Sequence, residues 1–220
     1  MQPNVLSVLI FDGKSSIISK GLSRLLDGAS HVALAIPAGV VAGVSQRLGN
    51  PDVFSGWYIL ESTTENTCED VITNKKIKGV SIVPFDKRVS GYRGTVSMRR
   101  LENIPGCHPR YQQWYNSYEL IDVIAEYHGR PYERSPGRLL GSWIDKINIF
   151  NRNDDSSIFC SELNILVYQR LRIIETRSPA EETHPGDFIR NPNGHIMSID
   201  GNQLTRGYAL GPMIRIGGKG

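Results

Sequence analysis

Short apolar stretches of strand length recur along the first hundred positions, separated by turn-forming residues. Val5 to Phe11 reads as a buried strand closed by the turn signal Asp12-Gly13. Ser15 or Ser16 can cap a helix that carries Ile18, Leu22, Leu25 and Leu26 on one face and stops at Gly28. His31 to Ile36 is a second strand, broken by Pro37, and residues 37 to 55 read as a long Gly-rich excursion. Trp57 to Leu60 is a third strand, running into a polar stretch, 61 to 78, that predicts an exposed loop. Val80 to Phe85 and Thr95 to Leu101 are further strands, the second with Val96 and Met98 alternating against Thr95 and Ser97.

The period then changes from two to about 3.6. After an irregular connection over 102 to 113, Asn116 and Glu119 form the sequence of a capping box. The helix they open presents Tyr118, Ile121, Ile124 and Ala125 on its apolar face, and Gly129-Arg130-Pro131 ends it. Cys160 opens the last strong helix, with Leu163, Leu166, Val167, Leu171 and Ile174 on one side. The tail from about Arg206 ends in Gly-Gly-Lys-Gly and is expected to be flexible in part. The pattern predicts one α+β domain over residues 1–220, a small antiparallel sheet packed with helices.

Composition adds bounds. The 220 residues suffice for one well-buried domain. A net charge of +3 is too small to argue for nucleic acid. The one basic cluster, Lys87, Arg88, Arg93, Arg99 and Arg100, reads as a solvated face. Three cysteines, Cys68, Cys107 and Cys160, lie far apart without a CxxC pair. That odd count fits a reducing compartment, and gives a structural metal site little support. No window approaches the roughly 20 apolar residues of a membrane span, and the first residues lack the layout of a signal peptide. The expectation is a cytoplasmic protein without a cofactor or an integral membrane segment; cellular and viral sources both stay open.

Candidate chemistry rests on three polar residues at the ends of elements. His31 begins an apolar strand, Glu61 ends one, and Cys160 begins a helix. A thiol at a helix N-terminus feels the positive end of the macrodipole and unpaired N–H groups, both favouring thiolate. A histidine beside it can pair with the thiolate and later protonate a leaving group, while a carboxylate fixes the imidazole's orientation. Phe159 and Ser161 flank the sulfur as oxyanion or substrate-lining positions. Ser161 and Glu162 fall in the first helical turn, where the dipole also favours Glu. His108, His128, His184 and His195 read as loop, helix-end or surface residues. Cys68 and Cys107 lack a helix-start setting. Spacing alone does not bring the three residues together, and a buried apolar cysteine or a core histidine would read the same way.

The surrounding motifs resemble one family. Ser30-His31-Val32-Ala33-Leu34 is similar to the "SH" strand of the circularly permuted NlpC-like cysteine hydrolases, the YiiX/YaeF group. Tyr58-Ile59-Leu60-Glu61-Ser62 resembles that family's strand ending in Glu, and Lys78-Gly79-Val80 through Pro84 its "GV…P" segment. Tyr127-His128-Gly129-Arg130-Pro131-Tyr132 resembles its "Y-x-G-(K/R)-P-Y" helix end. Phe159-Cys160-Ser161-Glu162-Leu163 resembles its nucleophile motif, and Pro185-Gly186-Asp187-Phe188 its late "P-x-D" segment. The pieces fall in the family's order over most of residues 5 to 190.

The resemblance implies a permuted papain-like fold, with Cys160 as nucleophile, His31 as base and acid, and Glu61 as the orienting residue. Many members carry Tyr before the Cys where this chain has Phe159. The expected activity is a cysteine hydrolase or acyltransferase that cleaves an amide or ester bond through a thioester intermediate. Its partner would be a small-molecule acyl, lipid-like or peptide substrate. Two alternatives stand beside it: a peptidoglycan peptidase, and a catalytically silent papain-fold binding or structural module.

Overall fold

Alternation along the strands sorts side chains to two faces of a central sheet. The computed structural model describes residues 2–13, 29–64, 68–103, 118–132, 159–175, 179–180, 183–205 and 207–219. Strands β1 (Val8–Asp12), β2 (His31–Pro37), β3 (Trp57–Thr63), β4 (Gly79–Pro84), β5 (Thr95–Arg99) and β10 (Ile214–Gly217) form one antiparallel sheet. Their order is β10-β5-β1-β2-β3-β4. Two small ribbons, β6 (Leu101–Asn103) with β9 (Tyr208–Leu210) and β7 (Ser198–Ile199) with β8 (Asn202–Gln203), stand apart. The described helices are α1 (Ala38–Arg47), α2 (Phe85–Gly91), α3 (Tyr118–Tyr127) and α4 (Cys160–Arg170). The α+β class read from the pattern is therefore the class observed.

Val32, Leu34, Leu60 and Ile82 point to the larger core with α1, α3 and α4, where Val41, Ile124 and Leu163 meet them. Leu9, Phe11, Ala33 and Ile59 point the other way, toward Val89 of α2 and Tyr92 just beyond it. The period of two thus places His31, two residues before Ala33, and Glu61, two after Ile59, on the α2 face. α4 approaches from the opposite layer and packs on β2 and β3.

Several expectations from the pattern are corrected. The Gly-rich excursion after Pro37 is helix α1, whose Val40, Val41 and Val44 are buried. Gly43 fits there because a Cβ would lie 2.4 Å from Cδ1 of Ile121 on α3, so close helix packing outweighs glycine's poor propensity. β3 continues past Leu60 to Thr63, so Glu61 lies inside a strand rather than at its end. The stretch after it is not wholly exposed, since Asp70 is buried. Tyr118 is 85% exposed, and the buried face of α3 is Leu120, Val123, Ile124 and Tyr127. The tail is not loose throughout: Tyr208–Leu210 and Ile214–Gly217 are strands, and the second completes the main sheet beside β5. The solvated basic face dissolves as well, because Arg88 and Arg99 are among the most buried side chains of the protein. The helix expected after Ser15, the Asn116 cap, Cys107 and His108 lie outside the described residues.

Candidate active site

The site forms where β2 begins. Cys160 is the first residue of α4, which follows the extended Phe159, and the Glu162 carboxylate accepts the Phe159 N–H at 3.0 Å to close that helix end. The β2–β3 ladder starts only at the Leu34–Leu60 pair. Ahead of it, the Val32 N–H donates to the Cys160 sulfur, as does the Ser161 N–H from the helix's first turn. The sulfur also hydrogen-bonds the His31 ring. The opposite edge of that ring is fixed, since Nε2 lies 2.8 Å from Oε2 of Glu61. Nδ1 is thus the nitrogen left for the sulfur. Phe11, paired with His31 across β1 and β2, sets its ring 5.2 Å from the imidazole.

Burial and charge together set the protonation states. Burial of His31 would draw its pKa down, but its bonds to Cys160 and Glu61 and the charges on both outweigh this and push it up to about 9. Burial would raise the Cys160 thiol, yet the His31 hydrogen bond and charge, with the N–H groups of Val32 and Ser161, hold it below the ordinary thiol range. For Glu61 burial favours the acid form, and His31 together with the Arg88 guanidinium holds it below the usual carboxylate range. All three shifts run toward the charged forms, a thiolate beside an imidazolium, itself beside a carboxylate. Cys160 is 5% exposed, so little of its side chain meets solvent.

Of the residues singled out from sequence, Cys160, His31 and Glu61 meet. Phe159, next in sequence to Cys160, stands edge-on to Tyr132 at 5.7 Å. Ser161 contributes its backbone only, for its hydroxyl donates to the Thr183 carbonyl at 2.6 Å. His128, His184 and His195 bond to other groups: His128 to Asp70, His195 to Glu102, and the His184 backbone to Asp187.

Two neighbours were not assigned to the site from sequence. Arg88 donates from Nε to both Glu61 oxygens, at 2.9 and 3.1 Å. Tyr132 stands close enough for Cys160 and Glu162 to act on its phenol, whose pKa burial and those two charges push up. Tyr132 owes its place to two of the quoted motifs meeting in space. Val80 N–H donates to the Arg130 carbonyl at 2.8 Å, and Gly129 N–H to the Val80 carbonyl at 2.9 Å. Gly79 permits this contact, since a Cβ there would fall 2.0 Å from the Arg130 oxygen. A sequence signal for Tyr132 existed in that motif, whereas Arg88 had none beyond its charge.

Among the described residues, no group of three or more His, Cys, Asp or Glu is arranged to hold a metal ion. No helix among them is long and apolar enough to cross a membrane. No family model matches the chain, and no curated protein matches it.

Proposed function

We propose that the protein is a thiol hydrolase or acyltransferase acting on an amide or ester. The reading rests on one observation: a helix-opening sulfur hydrogen-bonded to an imidazole whose far nitrogen is held by a buried carboxylate. In this reading the Cys160 thiolate attacks the acyl carbonyl, forming a C–S bond as the carbonyl electrons move onto oxygen. Collapse expels the leaving group, which takes the proton from His31 Nδ1. Water or another acceptor then gives a proton to the same nitrogen as it attacks the thioester, releasing the acyl product and the sulfur. Glu61 keeps the ring oriented and stabilises its charged form. Tyr132, kept protonated by its surroundings, is an O–H donor beside the sulfur and takes the part that the family resemblance gives to a tyrosine at position 159. The order of His before Cys and the motifs around both support a permuted NlpC-like hydrolase with a small acyl, lipid-like or peptide substrate.

The test is turnover of an acyl-ester panel and of murein peptides by purified protein. Cys160→Ala and His31→Ala should each lower turnover at least about 10³-fold with the fold intact by circular dichroism. Wild-type turnover in either variant refutes the assignment. Preference for murein peptides would select the peptidase alternative, and absence of any Cys160-dependent cleavage, with an unreactive thiol, the silent module. The pH profile carries a second expectation. Activity should appear as pH rises through the depressed thiol pKa. It should fall again as pH passes about 9, where the imidazolium loses the proton the leaving group needs. A profile still climbing well above that value is the contrary result.

A further inference from the structure

Arg88 is buried to 2% exposure, yet it sits on α2, outside every motif quoted for the site. Its Nε contacts both oxygens of Glu61, at 2.9 and 3.1 Å. Its guanidinium carbon lies 4.8 Å from the Phe11 ring centre and 5.5 Å from that of Tyr92. Phe11 in turn flanks the imidazole of His31, and Tyr92 stacks edge-on against Phe11 at 5.0 Å. The cation is therefore held on an aromatic shelf that belongs to the same face as the histidine. Arginine suits that place: its planar, weakly hydrated cation stays charged when buried and lies flat on rings.

Charge gives the arrangement its meaning. With its sulfur and imidazole both charged, the row Cys160, His31, Glu61, Arg88 alternates negative and positive groups and its net charge is zero. Without the guanidinium, a buried site would carry an uncompensated negative charge, which low-dielectric surroundings penalise. Such a site corrects itself by taking up a proton, on sulfur or on carboxylate, and either event disarms the nucleophile. We infer that Arg88 is a positioning residue for this chemistry, one that clamps Glu61 against His31 and sets the pH range in which the sulfur and imidazole are both charged. The inference rests on the hydrolase reading for its purpose, but its electrostatics can be measured on the thiol alone.

The experiment follows alkylation of Cys160 by iodoacetamide against pH, together with the ultraviolet absorbance of the thiolate. Tyr132, whose phenol feels both Cys160 and Glu162, Glu162 itself, and Tyr92, which touches the guanidinium, are unchanged throughout. Removing a nearby positive charge favours every protonated form, so in Arg88→Met both the thiol and the imidazole titrations should move up by about one pH unit. Arg88→Lys should leave them near their wild-type positions while lowering turnover, because the charge remains and the fork is lost. A purely structural arginine would leave the titrations of folded Arg88→Met unmoved, and that result overturns the inference.

Should Arg88→Met fail to fold, the comparison passes to Glu61→Gln with and without Arg88→Met. Glu61→Gln leaves a net positive site and moves both titrations down. Adding Arg88→Met restores neutrality and should bring them back up by about one pH unit. Coincident curves for those two proteins refute the proposal. Failure of the hydrolase reading looks different: wild-type Cys160 would then alkylate with an ordinary thiol profile before any substitution is made.

Discussion

Among the described residues, two buried histidine–carboxylate pairs of nearly equal length stand in different settings. His31 and Glu61 stand 2.8 Å apart, His128 and Asp70 2.9 Å. The difference lies in what else each partner touches. The imidazole of His31 has a sulfur at its second nitrogen, and its carboxylate also accepts from a guanidinium at both oxygens. Asp70 is spent on backbone: Oδ1 accepts the N–H groups of Ile72 and Thr73 and the Thr73 hydroxyl, while Oδ2 accepts the Ile82 N–H at 2.7 Å. That carboxylate ties the loop before β4, the strand itself and the end of α3 into one corner. What a histidine–carboxylate pair is free to do is thus set by its outer contacts, and the pair distance does not distinguish the two.

The contrast can be attacked from both ends. The largest expected effect is at Glu61. Glu61→Gln should cut turnover about 10²- to 10⁴-fold while the protein stays folded, because the ring loses both its orienting acceptor and the charge that favours imidazolium. Turnover within a factor of two of wild type would erase the distinction between the pairs. Asp70→Asn should do the reverse, costing about 1–3 kcal/mol in urea unfolding and leaving the turnover of folded protein close to wild type. The Asp70 carboxyl titrates below its ordinary value, held there chiefly by His128 and backbone N–H groups against the effect of burial. Its stabilisation is therefore present above the usual Asp range and lost as pH falls through the folded value, so wild type and Asp70→Asn should converge in acid. Equal stabilities at neutral pH would show that the corner does not depend on the carboxylate.

Much of this was legible before any coordinates. Alternation and turn residues place β1 through β5 within a few residues, and the apolar spacing after Cys160 places α4 and the sulfur at its start. Helix α1 was hidden by Gly39 and Gly43, since propensity counts glycine against a helix while the space it leaves for Ile121 is visible only in packing. Arg88 and Arg99 were misjudged for a common reason. A charge on a polar stretch is normally solvated, and here partners far along the chain, Glu61 for one and carbonyls beyond residue 187 for the other, make burial possible. Glu61 reads as a strand end in the sequence and lies inside β3, because a carboxylate in mid-strand makes sense only once its two cations are known.

Arg99 has a consequence for how the chain is made. Its guanidinium, caged among the described residues by carbonyls and drawn down to about 10 by burial, donates to those of Phe188, Arg190, Asn191, Gly194 and Gly211. A nascent chain that has reached only helix α4 has yet to make any of those acceptors, and lacks β10 to flank β5. Ribosome-bound protein can therefore fold the β2–β3–β4 side early, while the β5 flank stays open to chaperones and proteases until residues 188–217 have emerged.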